Sequence, residues 1–308
     1  MRIKFMPLFL LCFFLAGSFQ VNAKSLDVDG LKSNIAKRVS TMIGENYPTD
    51  YIQITKQIPV EIPINDSVQN FYAIRADLQP INEDQKPGKL TFLVDQNGRT
   101  SFAGAKDLIT GESVAKDALM ELSKIELPQN FGNELISGKG DHQITLVSDP
   151  FCPFCRKAYD FFTSSSLNGK INTLKIVHMP LDMHPGAKLL CNAVHEASQD
   201  SKIKISEREL TDFIYEIAPI RSKTDRIKLM EKMLNEFPAL ADAWGTPENA
   251  MYFIQGKYSD KKNKDIELAT KEYGITGTPA VFIDGVLVQG FNLAKIKDLM
   301  GMSNVAQK

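Results

Sequence analysis

The spacing of apolar and polar positions predicts distinct local elements in the first third of the chain. Apolar residues at helical spacing indicate a helix over 26–43, and β-rich runs at 51–62 and 70–78 indicate strands. Two further β-rich runs flank Asn97-Gly98, a dipeptide typical of a tight hairpin. Together these patterns predict an N-terminal α+β domain over 24–110.

A second helical pattern, "GESVAKDALMELSKIEL", begins at Gly111 and ends before Pro128. The stretch that follows, 128–143, is rich in glycine and has no clear period. We interpret the segment 111–139 as a linker helix and loop that lead to a second domain.

The remaining segment, 140–308, has the alternation of an α/β fold. Its predicted order is strand, helix, strand, helical block, hairpin and closing helix, at 143–149, 152–162, 171–181, 185–273, 278–291 and 292–300. Asp284-Gly285 marks the turn of the hairpin. Without the block at about 185–273, the order describes one small sheet with its helices, so the block is predicted to be a helical insertion.

The segment 1–23 has the parts of a secretory signal peptide. Arg2 and Lys4 precede an apolar run over 5–16, and the small-residue sequence "VNA" ends at Ala23. The run is shorter than a bilayer span. Its removal would leave 285 residues, enough for one large domain or two ordinary ones. We therefore expect an exported protein.

Charge and cysteine content narrow the function classes. Loss of Arg2 and Lys4 would change the net charge from −1 to −3, which argues against nucleic-acid binding. Three cysteines would remain in a long chain, whereas secreted disulfide scaffolds are short and rich in cysteine. A single CxxC pair beside an export signal therefore indicates redox chemistry at Cys152 and Cys155.

The local sequence makes these two cysteines unequal. Cys152 falls at a predicted helix N-cap and Pro153 at the first helical position, where its missing N–H is harmless. Free amide N–H groups and the helix dipole stabilise a thiolate there, and we expect the Cys152 sulfur to face solvent. Cys155, one turn further on, is expected to be more buried. The pattern predicts one nucleophile and one resolving thiol.

A structural disulfide, a zinc site and chance are the alternatives to a redox role for the pair. A disulfide between residues three apart would constrain little of the unfolded chain. A zinc site needs four ligands, and no second paired cluster is evident among Cys191, His142, His178, His184 and His195. Cys191 itself is expected to be a small buried residue, with a third reactive thiol as the alternative.

Three other residues have ordinary expected roles. Asp149 is expected to cap the strand-to-helix turn, and a role in proton transfer is the alternative. His178 and His184 are expected to be solvated or packed; copper ligation is the alternative.

Pro279 lies at a predicted strand start, where a trans proline is permitted. Sequence spacing does not place Pro279 beside Cys152.

The segments "VSDPFCPFCRKAYDFF" and "YGITGTPAVFIDGVLVQGF" resemble the thioredoxin fold and, within it, the DsbC/DsbG family of periplasmic disulfide isomerases. The segment 89–119 is similar to the end of that family's N-terminal dimerisation domain and its linker helix. The resemblance covers most of the chain after the signal peptide and is weakest over 24–77.

The resemblance implies a thiol:disulfide interchange enzyme without a cofactor. Cys152 would be the nucleophile, Cys155 the resolving thiol, and Pro279 a cis-proline packed against them. The backbone of Thr278 would hold a client peptide. Misoxidised protein clients, a homodimer formed by the N-terminal domains and a DsbD-like membrane reductase are the implied partners.

The sequence also departs from that family. Pro153-Phe154 separates the cysteines, where DsbC has Gly-Tyr and DsbG has Pro-Tyr, so the redox potential cannot be transferred. Cys191 lies near half of a structural disulfide of DsbC and has no partner cysteine here. The alternatives are a DsbG-like reductase of sulfenylated cysteines, a DsbA-like oxidase, a chaperone that does not use its thiols, and a metal-handling protein.

Overall fold

A computed structural model describes most of the chain. The described residues are 25–64, 67–82, 87–102, 105–106, 113–218, 225–255 and 260–302. The predicted signal peptide, 1–23, lies outside them. The chain divides into two compact units between Leu122 and Ser123.

The first unit combines two helices with an antiparallel sheet. Its elements are α1 (Val28–Ile43), β1 (Ile52–Ile64), β2 (Ser67–Leu78), β3 (Gly88–Asp95), β4 (Ser101–Phe102) and α2 (Lys116–Ser123). The strands follow one another in the order β1-β2-β3-β4. This is the α+β architecture that the sequence pattern predicts.

Both faces of this sheet are covered because successive side chains of a strand point to opposite sides. On β2, Tyr72 and Ile74 pack in one cluster with Leu31 of α1. Ala73, between them, packs in a second cluster with Leu122 of α2. The predicted hairpin at Asn97-Gly98 is also confirmed, since β3 pairs with β4 in antiparallel register.

The second unit interleaves strands and helices. Its elements are β5 (Asn133–Ser137), β6 (His142–Ser148), α3 (Pro153–Thr163), β7 (Ile171–His178), α4 (Pro185–Gln199), α5 (Glu207–Ile217), α6 (Arg226–Glu236), α7 (Pro238–Trp244), α8 (Pro247–Gln255), α9 (Asp260–Glu267), β8 (Ala280–Ile283), β9 (Val286–Gln289) and α10 (Leu293–Leu299). A π-helical turn, Leu268–Glu272, follows α9.

The sheet of the second unit has the strand order β5-β7-β6-β8-β9. β6 and β7 are parallel and are joined by α3, while the other neighbouring pairs are antiparallel. The predicted hairpin at Asp284-Gly285 joins β8 to β9, and both of its central residues have positive φ. With α4–α9 set aside as an insertion, this topology is the thioredoxin-like one that the resemblance implies.

Strand β6 is the centre of the second unit's core. Leu146 packs with residues of the helical insertion, among them Leu190 and Met230. Val147 points to the opposite face and packs with Phe131 and Phe282. Burial on both faces fixes the register of β6, because a slip by one residue would exchange the two faces. The end of β6 is therefore a rigid support for the CxxC turn.

Two expectations about the linker were wrong. The segment 111–139 contains β5, an edge strand of the second sheet, where we expected a loop. Its register shift between Glu134 and Ile136 breaks the alternation that would have marked it as a strand. Helix α2 ends at Ser123 instead of continuing towards Pro128, because Lys124 bridges to Val286. The short helix α7 was also not anticipated as a separate element.

Among the described residues, the structure contains no helix long and apolar enough to cross a membrane.

Gly140, just before β6, is required because another backbone segment packs closely against it. A Cβ atom on Gly140 would lie 2.1 Å from the carbonyl carbon of Lys170. We expect Gly140→Ala to lower the free energy of unfolding by about 1–3 kcal/mol, because the backbone must shift to make room. Gly277→Ala is the control, since a Cβ there meets nothing within 4 Å. Equal denaturant midpoints for the two variants would contradict this requirement for close packing.

Candidate functional site

The CxxC pair lies where β6 ends and α3 begins. Cys152 is the N-cap of α3 with extended backbone angles, and Pro153 occupies the first turn. The Cys152 N–H donates to the Asp149 carbonyl at 3.0 Å, and the Cys152 carbonyl accepts from the Arg156 N–H at 3.1 Å. The predicted placement of the pair at a helix N-terminus is confirmed.

The burial of the two cysteine residues differs less than the sequence suggests. Cys155 is fully buried, as expected, but Cys152 is only 8% exposed. The expectation that Cys152 faces solvent was therefore wrong. The physical reason is a segment distant in sequence: the Cys152 thiol lies 3.6 Å from the Thr278 carbonyl, to which it donates.

The environment of Cys152 favours its thiolate. Its pKa is lowered from 9.0 to about 6, first by the hydrogen bond with the Cys155 side chain. The amide N–H groups of Cys155 and Phe154 contribute less, and burial and the Asp149 charge oppose the shift. The helix-terminal amides that the sequence identifies are thus a secondary cause, and the neighbouring thiol is the main one.

Cys155 has the opposite character. Burial raises the pKa of its thiol far above the ordinary value, and the hydrogen bond with Cys152 raises it further. The buried thiol keeps its proton and donates a hydrogen bond to the sulfur of Cys152. Both cysteines are free thiols in this structure, as is Cys191.

The loop before β8 brings the predicted substrate-binding residues to the pair. The Thr278–Pro279 peptide bond is cis, as the resemblance implies. Thr278 and Cys152 are separated by 126 positions in sequence. The sheet brings them together because β8 pairs with β6, the strand that leads into the CxxC turn.

Asp149 organises the turn beneath the cysteines. Its buried carboxylate accepts the Phe151 N–H at 2.8 Å, which confirms the expected capping role. The same carboxylate accepts the Leu181 N–H at 2.8 Å and contacts His184 Nδ1 at 2.7 Å. Sequence analysis did not predict the partnership of Asp149 with His184, because the two residues are 35 positions apart and belong to different elements.

The remaining candidate residues Cys191 and His178 are buried. Cys191 is completely buried in the core of the insertion, which confirms the packing interpretation. His178 is buried at the end of β7. Among the residues that the structure describes, no group of three or more His, Cys, Asp or Glu side chains could hold a metal ion.

Phe154, between the cysteines, is 61% exposed although it is a large apolar residue. Lys157, one turn further on, places its ammonium 5.7 Å from the centre of the Phe154 ring. An exposed aromatic ring thus stands beside a sulfur that is nearly buried.

Known proteins match the chain in structure and not in sequence. No family model matches the chain, and a search of curated proteins found no match. A thioredoxin-like oxidoreductase from Silicibacter pomeroyi DSS-3 is 17% identical, with a TM-score of 0.41 over 56% of this chain and 92% of that one.

Two other solved structures show a similar degree of likeness. BdbD from Bacillus subtilis, in its oxidised form, is 16% identical, with a TM-score of 0.39 over 55% of this chain and 97% of that one. The catalytic domain of Proteus mirabilis ScsC is 13% identical, with a TM-score of 0.38 over 56% and 89%.

The hydrogen bond between the two thiols can be tested by removing its donor. Cys155→Ala should raise the Cys152 pKa by about one unit or more, towards the ordinary thiol value. Cys155→Ser keeps a hydroxyl donor and should raise it less. The pH dependence of Cys152 alkylation, followed by mass spectrometry, reports both values. If Cys155→Ala titrates like the unmodified protein, the amides and not the thiol hold the charge.

Proposed function

We propose that this chain is a thiol–disulfide exchange enzyme that acts on disulfides of protein clients through Cys152 and Cys155. One observation carries the proposal: Cys152 is the N-cap of α3 and Cys155, one turn on, is completely buried, and this placement lowers the pKa of Cys152 and raises that of Cys155. Thiolate is the attacking species in disulfide exchange, so this arrangement separates an attacking sulfur from a reserve sulfur.

The first step forms a mixed disulfide. The Cys152 thiolate attacks one sulfur of a client disulfide, the Cys152–client S–S bond forms, and the client S–S bond breaks. The released client thiolate takes a proton from water. In isomerisation, another client thiolate then attacks the mixed disulfide, which frees Cys152 and leaves the total number of disulfides unchanged.

The alternative second step uses Cys155. It loses its proton, attacks the sulfur of Cys152 and forms the Cys152–Cys155 disulfide, while the client leaves as a thiol. The client gains two electrons and the enzyme loses them. Because the Cys155 pKa is raised strongly, this release step starts from a protonated thiol and should be slower than the first attack.

Thr278 supplies a docking group for the client backbone in this proposal. Its carbonyl accepts from the Cys152 thiol in the structure. When Cys152 loses its proton or forms a mixed disulfide, that carbonyl loses its donor. A client N–H group beside the attacked cysteine can then replace the lost hydrogen bond.

Within this class we propose a periplasmic disulfide isomerase or reductase of the DsbC/DsbG type, kept reduced by a DsbD-like membrane reductase. The sequence resemblance supports this assignment. Thr278 before the cis-proline is part of that resemblance, because threonine there is similar to the isomerases, whereas DsbA-type oxidases usually carry valine. The N-terminal unit would join two copies into a homodimer, and light scattering of the exported protein should then give the mass of two chains.

A DsbA-like oxidase is the second candidate, and the acidic Cys152 thiol favours it. A stabilised thiolate stabilises the reduced enzyme and makes its disulfide more oxidising. Trapping the thiols inside cells separates the two candidates: an isomerase or reductase is mostly reduced, and an oxidase is mostly oxidised.

Replacing the nucleophile should abolish exchange without unfolding the protein. We expect Cys152→Ala to lose at least about a thousandfold in the rate of client disulfide exchange, because no thiolate remains to attack. Cys191→Ala is the control and should keep most of the activity, because that buried thiol is remote from the reaction in this scheme. The readout is the recovery of activity by a client whose disulfides have been scrambled.

Unchanged recovery with Cys152→Ala would reject the exchange enzyme in favour of a chaperone that does not use its thiols. Stoichiometric metal in protein purified under reducing conditions would instead support a metal-handling role for the pair.

A further inference from the structure

The buried Asp149 carboxylate connects the active-site turn with the segment that leads into α4. Oδ1 accepts the Phe151 N–H, and Oδ2 accepts both the Leu181 N–H and the Nδ1–H of His184. An ionised carboxylate only accepts hydrogen bonds, so Nδ1 of His184 carries a proton in this arrangement. A second proton added to the ring binds at Nε2.

His184 gives this buried network access to solvent. Its side chain is 14% exposed, whereas that of Asp149 is completely buried. The ring of Phe151 lies 6.0 Å from the His184 ring and shields the network on one side. A proton can therefore reach the pair through the imidazole.

The charge of this pair acts on Cys152. The charge of the Asp149 carboxylate opposes formation of the Cys152 thiolate and therefore raises the Cys152 pKa. The hydrogen bond with Cys155 lowers that pKa by more. A protonated imidazole in contact with that carboxylate would cancel its charge. The opposition to the thiolate would then weaken as the solution becomes more acidic.

Other titratable and charged groups among the described residues also border this network. On the CxxC side, the titratable groups are Cys152, Cys155 and Tyr215, whose hydroxyl donates to Ser148 Oγ at 2.6 Å. The buried His178 pairs with Ser148 across β7 and β6, and the guanidinium of Arg156 is held by the Ala218 carbonyl. α6 presents the apolar Leu229 next to Gly186, two residues after His184. Along the segment of His184 itself, the nearest charged residues are Asp182 and Lys188.

We propose that His184 is a positioning residue that couples the charge of the Cys152 thiol to solvent pH through the Asp149 carboxylate. The inference rests on the proposed function for the identity of the attacking sulfur. Protonation of His184 keeps Cys152 ionised at acid pH, where an isolated thiol of the same pKa would already be protonated. The site thereby stays reactive over a wider pH range.

A second Asp–His pair in the same unit provides a matched control. His142 Nδ1 lies 2.7 Å from Asp284 Oδ2, the same separation as in the His184–Asp149 pair. His142 begins β6, whereas Asp149 follows its last residue, so the two pairs lie at opposite ends of one strand. Substitution of His142 therefore changes an Asp–His contact of the same length at the other end of β6 from the cysteines.

The experiment compares pH profiles of Cys152 alkylation in the full chain. His184→Gln should reduce the rate constant at pH 5.5 by about threefold to tenfold, because the uncompensated carboxylate raises the Cys152 pKa. His142→Gln should leave the profile unchanged. In an Asp149→Asn background, His184→Gln should not change the alkylation rate constant further, because the carboxylate charge that connects His184 to Cys152 is absent.

Each outcome decides for or against the coupling. Identical profiles for the unmodified protein and His184→Gln, or an equal shift with His142→Gln, would overturn it. If His184→Gln does not fold, His184→Asn is used. The unmodified protein also gives an independent test, since coupling requires a profile broader than a one-proton curve. An ordinary Cys152 pKa in the unmodified protein would instead reject the proposed function itself.

Discussion

The hydrogen bond from the Cys155 thiol to the Cys152 sulfur is the interaction on which the site depends. It lowers the pKa of the acceptor and raises that of the donor, so one contact creates both chemical roles. The two residues meet at the start of α3, where Cys155 is completely buried and Cys152 is nearly so. Burial alone would raise the pKa of both thiols. The hydrogen bond that Cys152 accepts stabilises its thiolate and so lowers the Cys152 pKa in spite of burial.

The fold maintains this contact through strand β6. Its two buried faces hold the strand in register, and Asp149 directly after it fixes the turn that carries Cys152. The neighbouring strand β8 begins immediately after the cis-proline. The CxxC turn after β6 and the loop before β8 therefore meet at the same end of the sheet. Any shift of β6 would move the nucleophile and, through its pairing with β8, the Thr278 carbonyl that covers Cys152.

The sequence predicts what is local in this arrangement. The N-cap at Cys152, the proline after it and the hairpin turn at Asp284-Gly285 depend on neighbours within a few positions, and the structure contains all three. The His184–Asp149 pair and the cover over Cys152 depend on tertiary contacts between distant segments, which no local pattern records. β5 was missed because its alternation is broken by a register shift.

The lowered pKa of Cys152 has opposing effects on its reactivity. A fall from 9.0 to about 6 raises the thiolate fraction at pH 7 roughly ninetyfold. The same fall reduces the intrinsic nucleophilicity of that thiolate about 15- to 30-fold, since basicity and nucleophilicity decrease together. Attack on a client therefore becomes only a few times faster. When Cys152 is instead the leaving group of a mixed disulfide, its lower pKa makes it leave faster, and no loss of nucleophilicity offsets that gain. The acidity of Cys152 therefore accelerates client release more than client capture.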